Sequence, residues 1–152
     1  MTTSAGLLLF RERDGELEVL LGHMGGPFWA RKDAGAWSIP KGELHEGEDP
    51  QAGALREFAE ELGHAPPAGD PFELGEIRQK GGKQVRAWGA EADADPHALT
   101  CNTFQMEWPP RSGTMCDFPE VDRWEWFDLE AAARQINPAQ VELLERLKAA
   151  LD

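Results

Sequence analysis

The chain has 152 residues, enough for one domain with a sizeable core, and its composition, with 41% hydrophobic and 28% charged residues, is that of a globular protein. The formal net charge of −13 argues against duplex nucleic acid or an anionic membrane as a partner. The first apolar run is too short for a signal peptide or a membrane span, and the two cysteines have no metal-binding spacing, so we expect a cytoplasmic protein.

The first part of the chain predicts a β-hairpin followed by a loop. Residues 4–13 and 16–24 are apolar runs typical of strands, and Asp14-Gly15 between them is a strong hairpin signal. Residues 25–35, with three glycines and a proline, predict a loop.

A short strand at residues 37–40 and a helix at residues 50–62 are expected next. Asp49 is a good N-cap for that helix, and Pro50 suits its first position. Gly63 suits the residue just past the helix end. The helix therefore has start and stop signals at both ends.

The middle of the chain predicts further strands. After a loop at residues 65–70, residues 72–79 and 83–90 look like strands on either side of a Gly-Gly turn. Residues 100–108 are another strand candidate, and residues 109–118 read as a loop containing proline and glycine.

The end of the chain predicts a short strand and two helices. The strand covers residues 123–127, and Asp128 can cap a short helix that runs through Gln135. Asn137-Pro138 then starts the last helix. Strands in the middle of the chain, with one helix inserted and others at the end, suggest an α/β/α sandwich.

Three carboxylates share one face of the first predicted helix. At about 100° per residue, Glu57, Glu60 and Glu61 fall within one arc of about 100°, opposite an apolar arc. Their mutual repulsion would be relieved by a hard cation such as Mg²⁺, which takes oxygen ligands. Arg56 is placed to orient Glu60, and Glu48 upstream is placed to hold Arg56. The alternative is a solvated acidic face.

Fixed spacings extend over the whole stretch from Gly42 to Gly63, which reads GELHEGEDPQAGALREFAEELG. This stretch resembles the Nudix box of the MutT-like hydrolases, G-x5-E-x7-R-E-U-x-E-E-x-G-U, where U is apolar. Every charged and glycine position matches, whereas His64 stands where an apolar residue is usual. The resemblance implies a single Nudix domain over residues 1–152, with an α/β/α sandwich around a mixed β-sheet.

Nudix hydrolases split nucleoside diphosphates linked to a second moiety, with the help of a divalent metal. The resemblance therefore implies water attack at phosphorus in a small-molecule nucleotide, either a dinucleoside polyphosphate or a nucleoside triphosphate. It implies Mg²⁺, or alternatively Mn²⁺, held by Glu57, Glu60, Glu61 and a backbone carbonyl at Lys41 or Gly42.

Two other functions are compatible with a Nudix fold. A nucleotide sensor without turnover would be expected to lose box carboxylates, and this chain keeps all of them. A diphosphate isomerase of the isoprenoid type needs a cysteine near the site, for which Cys101 and Cys116 are the candidates.

The general base in this family is sometimes a box glutamate and sometimes a glutamate on a later loop. Glu60 and Glu120 are the two candidates here, although Glu120 also reads as an exposed loop acid. Lys41 and Lys83 are candidate contacts for substrate phosphates, and solvated lysines are the alternative.

The start of the chain, AGLLLFR at residues 5–11, resembles the diadenosine tetraphosphate hydrolase branch. Members of that branch often stack a tyrosine on the base, and this chain contains no tyrosine. Phe28 and Trp29, followed by Trp88 and Trp108, are the available stacking groups. Their alternative role is to anchor the core or a loop.

Overall fold

A mixed β-sheet forms the centre of the fold in the computed structural model, which describes residues 3–62, 70–79, 81–93, 95–98 and 103–152. The elements in chain order are β1 (Thr3–Arg13), β2 (Glu16–Met24), β3 (Trp37–Ser38), β4 (Lys41–Glu43), α1 (Pro50–Leu62), β5 (Phe72–Arg78), β6 (Gln84–Glu91), β7 (Thr103–Glu107), β8 (Met115–Pro119), β9 (Val121–Asp128), α2 (Leu129–Gln135) and α3 (Val141–Leu151).

The strand order across the sheet is β3-β2-β1-β6-β5, with β4 also paired to β1 and β9 also paired to β2. β1 and β6 run parallel, and the other pairs are antiparallel, so the sheet is mixed. The β1–β2 hairpin turns at Asp14 and Gly15, whose φ angles of 52° and 80° are the positive values that a tight hairpin turn requires.

Helices cover both faces of the sheet. Alternate residues of β1 point to opposite faces, so that Leu8 and Phe10 pack in a core with α2 and α3. Leu7 and Leu9 pack in a second core with α1. The predicted α/β/α sandwich around a mixed sheet is confirmed. Within the described ranges, no helix is long and apolar enough to cross a membrane.

Two predicted segments need correction. The expected strand at residues 37–40 is shortened to β3, and a further strand, β4, follows it, because the chain leaves β2 after Ser38 and joins β1 at Lys41. The expected loop at residues 109–118 ends in β8, which pairs with β7 in a separate two-stranded sheet. Residues 65–69 of a predicted loop and 100–102 of a predicted strand lie outside the described residues.

Side-chain caps begin α2 and the 3₁₀ turn that precedes α3. Asp128 Oδ1 accepts a hydrogen bond from Ala131 N at 2.7 Å, which caps α2 as expected. Asn137 caps a single 3₁₀ turn, Pro138–Gln140, before α3 begins at Val141. The predicted last helix therefore starts three residues later as an α-helix than the sequence indicated.

Candidate active site

Helix α1 presents the acidic residues because its apolar residues are fixed against the sheet. Asp49 Oδ2 accepts a hydrogen bond from Ala52 N at 3.0 Å, which caps the helix. Ala54 and Phe58 are buried in the core on that face of the sheet. The side chain of Glu61 and all of Gly63 and His64 lie outside the described part of the chain.

The carboxylate of Glu57 lies directly against Gly42 of β4. A Cβ built on Gly42 would overlap both carboxylate oxygens of Glu57, so only glycine leaves room for this side chain. The Glu57 side chain is 13% exposed. Strand β4 therefore forms the wall against which a box glutamate rests.

The Arg56 guanidinium forms hydrogen bonds with four residues of the acidic stretch. Its Nε and Nη2 atoms donate to the two carboxylate oxygens of Glu48 at 2.7 and 2.9 Å, a bidentate pair. Its Nη1 atom donates to Glu57 and to Glu60, each at 3.0 Å. Nη2 also donates to the backbone carbonyl of Glu43 at 3.2 Å. The guanidinium thus fixes both box carboxylates relative to the loop before the helix.

The carboxyl groups of Glu57 and Glu120 both have pKa values raised above the ordinary value for glutamate. Removal from water is the main cause of the raised pKa for each group. For Glu57, the hydrogen bond and the charge of Arg56 partly oppose this rise in pKa, whereas the charges of Glu60 and Glu48 add to it. The charge of Glu57 raises the pKa of Glu120, whereas the Lys41 ammonium lowers it. The charges of Glu57 and Lys41 therefore both act on Glu120, although Glu120 is exposed to solvent.

A cavity of about 410 Å³ opens beside these charged groups. Lys41 and Glu120 line it at the acidic side, and Phe28 and Trp29 line it from the loop after β2. The two aromatic rings meet edge to face at 5.2 Å, and Phe28 is 61% exposed. Four of the residues chosen from the sequence thus surround one cavity.

Several cavity residues were not identified from the sequence. Phe104 and Met106 of β7 contribute one wall, and their spacing of two along a strand is the only signal for a shared face. Met24 and Gly25 at the end of β2 contribute another. Gly25 N donates to the Glu120 carbonyl at 2.9 Å, which joins the two sides of the cavity.

Other candidates lie elsewhere. The described residues that line the cavity do not include Lys83, which is exposed beside the turn between β5 and β6. Trp88 is buried in the core next to α1, and Trp108 lies in the β7–β8 hairpin. The Cys116 thiol donates to the Trp108 carbonyl at 3.6 Å. Cys101 lies outside the described residues.

The comparison with known families decides the class of the protein. The family model described as NUDIX domain matches residues 1–147, nearly the whole chain. The chain belongs to the Nudix family. As a Nudix protein it is 28% identical, over 147 residues, to an RNA pyrophosphohydrolase of Rhodospirillum rubrum, and this match covers 91% of the chain and 86% of the relative. The predicted enzyme class, a Nudix hydrolase acting on pyrophosphate bonds, is confirmed.

Solved Nudix structures share the fold. A C. elegans Ap4A hydrolase, in a binary complex, aligns with a TM-score of 0.70 and 24% identity over 99% of this chain and 98% of that one. The NUDIX domain of Shewanella oneidensis NrtR, complexed with ADP ribose, aligns with a TM-score of 0.66 and 20% identity over 99% and 88% of the two chains.

Proposed function

We propose that this Nudix hydrolase is a divalent-metal-dependent pyrophosphohydrolase of nucleotides, acting on a dinucleoside polyphosphate or a nucleoside triphosphate. One observation carries the proposal. Glu120 lies within electrostatic range of the Glu57 carboxylate, which packs against Gly42, and of Lys41, and both Glu120 and Lys41 line the aromatic cavity. An acidic cluster and a nucleoside-sized cavity therefore share two residues.

The donor set suits a hard cation such as Mg²⁺ or Mn²⁺. Carboxylate and backbone oxygens are the ligands these ions prefer, and Glu57, Glu60, Glu61 and the carbonyl at Gly42 or Lys41 supply them. The described residues alone do not bring three metal-binding side chains to one point, and Glu61 is the expected third. The packing of Glu57 into the space that a Cβ of Gly42 would fill supports a carboxylate held in place for a ligand.

When bound, such a cation neutralises phosphate charge and lowers the pKa of the attacking water. The side chains of the protein would hold the metal ligands and the substrate in position. Arg56 holds Glu57 and Glu60 from one side through Nη1. Lys41, at the boundary between the acidic cluster and the cavity, is placed to contact a substrate phosphate. Glu120, whose pKa the charge of Glu57 raises, is the candidate general base, with Glu60 as the alternative.

The cavity supports a nucleoside as the group next to the diphosphate. Its aromatic rings offer stacking surfaces, which bind any base through its π-face. The Lys32 ammonium lies 3.9 Å from the centre of the Phe28 ring, on the same loop. The net charge of −13 disfavours long polyanions, but the relative's name makes a 5′-triphosphorylated RNA a necessary member of any substrate test.

The test is a substrate panel with Mg²⁺. The purified protein would be incubated with nucleoside triphosphates, oxidised nucleotides, diadenosine polyphosphates, ADP-ribose, NADH, coenzyme A and a 5′-triphosphorylated RNA, and products would be resolved by ion-exchange chromatography. Metal-dependent cleavage of a small nucleotide would support the proposal, and the product pair would identify the phosphorus attacked. Tight binding of one nucleotide without cleavage would favour a sensor instead.

A further inference from the structure

The buried ring of His23 connects the two walls of the cavity. His23 is on β2 and is 0% exposed. We infer that His23 is a positioning residue, which holds the loop that carries Phe28 and Trp29 at a fixed distance from the Glu120 side of the cavity. This inference rests on the proposed function, because it assigns roles to the two walls within that reaction.

Both ring nitrogens of His23 bind oxygen atoms. Nε2 lies 2.6 Å from the backbone carbonyl of Lys32, and Nδ1 lies 2.8 Å from Asp122 Oδ1. Each ring nitrogen thus has an oxygen partner within hydrogen-bond distance, and the ring bridges residues from two segments that are far apart along the chain. The ring itself is fully buried, so a ring nitrogen left without a partner would cost free energy, which makes the ring a rigid spacer between Lys32 and Asp122.

The contact with Lys32 reaches the aromatic wall. Lys32 N donates to the Trp29 carbonyl at 2.9 Å, and its ammonium lies over the rings of Phe28 and Trp29 at 3.9 and 5.2 Å. The backbone of Lys32 is therefore fixed by His23, while its side chain packs on the two rings that line the cavity. Displacement of the Lys32 carbonyl would move this wall.

The contact with Asp122 reaches the other wall. Asp122 follows Glu120 by two residues at the start of β9, and its carboxylate is 30% exposed. Gly25 N, two residues after His23, donates to the Glu120 carbonyl at 2.9 Å. His23 of β2 and Gly25 just after it thus hydrogen-bond to this segment on both sides of Val121, which is itself part of the cavity lining.

The His23 ring also packs closely against a neighbouring aromatic side chain. It meets the Trp37 indole edge to face at 5.1 Å, and Trp37 Nε1 donates to Asp33 Oδ1 at 2.9 Å in the same loop. An apolar side chain would fill this site without the cost of burying two polar ring nitrogens. The two hydrogen bonds are therefore the property that distinguishes histidine here.

Two substitutions separate the two contacts. The amide nitrogen of His23→Asn can replace Nδ1 and keep Asp122, whereas that of His23→Gln can replace Nε2 and keep Lys32. We expect His23→Asn to raise KM about two- to tenfold, the worth of one hydrogen bond, with a smaller change in kcat. We expect His23→Gln to lower kcat with KM nearly kept. His97→Gln, an exposed histidine outside the cavity lining, is the matched control and should change neither constant.

Amide hydrogen exchange tests the same inference without turnover. The amides of Trp29, Lys32 and Ala36, which donate within the loop, should exchange faster in His23→Asn than in the wild type and should stay protected in His23→Gln. Equal shifts of KM and kcat in both variants, or unchanged exchange in His23→Asn, would overturn the inference. If the wild type cleaves no nucleotide, the proposed function fails, and the exchange experiment still decides the role of His23.

Discussion

Gly42 and Glu57 are in direct contact across the interface between β4 and α1, where the absence of a side chain on residue 42 makes room for the carboxylate of residue 57. The two residues are the first glycine and the first helical glutamate of the Nudix box. The contact gives a steric reason for the glycine, because the space that a Cβ would occupy holds carboxylate oxygens. It also means that the position of Glu57 can be changed from the opposite side of the interface.

Gly42→Ala should therefore reduce activity while leaving the fold intact. The overlapping atoms belong to the end of a flexible side chain, so Glu57 can rotate away at little cost in stability but leaves its position. We expect a loss of roughly 100-fold in kcat/KM, comparable to losing a well-placed charge-stabilising group. Steady-state kinetics and thermal unfolding would measure the two effects.

Gly15→Ala is the matched control for that variant. Gly15 has a φ of 80° and open space around it, in the β1–β2 turn. We expect it to lose stability, by about 1–2 kcal/mol from backbone strain, and to keep its activity. Normal activity in Gly42→Ala would contradict the role given to this contact.

Glu48 should stabilise the protein in a pH-dependent way. Hydrogen bonds from Arg56 and from the His45 amide lower the pKa of Glu48 from 4.5 to about 2. Because the unfolded chain takes up the proton first as the pH falls, the stabilisation is complete above about pH 5 and disappears towards about pH 2.

Urea unfolding of Glu48→Gln should therefore show a lower free energy of unfolding than the wild type at pH 7, with the difference shrinking as the pH approaches 3. Glu130→Gln, which removes an exposed i,i+4 pair with Arg134, should stay close to the wild type throughout. A difference between Glu48→Gln and the wild type that is constant with pH would contradict the assignment.

The aromatic wall should contribute to substrate affinity. Stacking on a base is worth about 1–3 kcal/mol, so Trp29→Ala should raise KM, or the Kd of a nucleotide, by roughly 5- to 150-fold with a small effect on kcat. Trp108→Ala removes a partly exposed tryptophan that is absent from the described cavity lining, and KM should not change. Equal effects of the two substitutions would argue against stacking at this cavity.

Glu120 should determine the acid side of the pH–rate profile. Since desolvation and the charge of Glu57 raise its pKa, the base form is lost at a higher pH than for an ordinary glutamate. The wild-type kcat/KM should fall with decreasing pH while the pH is still above 4.5. Glu120→Gln should lower the plateau rate by about 10²–10⁴ if this residue is the base. Glu125→Gln on β9 is the control, and a full rate in Glu120→Gln would make Glu60 the base.

The sequence alone was sufficient for the box and for most of the elements. Local signals decide these features: Asp49 and Pro50 start α1, Asp14-Gly15 closes the hairpin, and the charged spacing identifies the family. The contact of Arg56 with Glu48 also follows from proximity along the chain. Such features need no knowledge of distant contacts.

Features that depend on distant segments could not be predicted in the same way. The proline and glycine residues of 109–118 predict a loop, but residues Met115–Pro119 form β8, because pairing with β7 decides their structure. The buried contact of His23 with Asp122 joins residues 99 positions apart, and no local pattern marks it. Charge and a position after α1 suggest Lys83 as a phosphate contact, but the described residues that line the cavity do not include it.

The most direct test of the account is the rate of nucleotide cleavage as a function of Mg²⁺ concentration, for the wild type and for Glu57→Gln. We predict no turnover without Mg²⁺, saturable activation of the wild type, and a loss of roughly 100-fold or more in Glu57→Gln at every Mg²⁺ concentration, because a bound cation supplies several kcal/mol of charge stabilisation. Metal-independent cleavage, or full Mg²⁺-dependent activity in folded Glu57→Gln, would contradict the central claim.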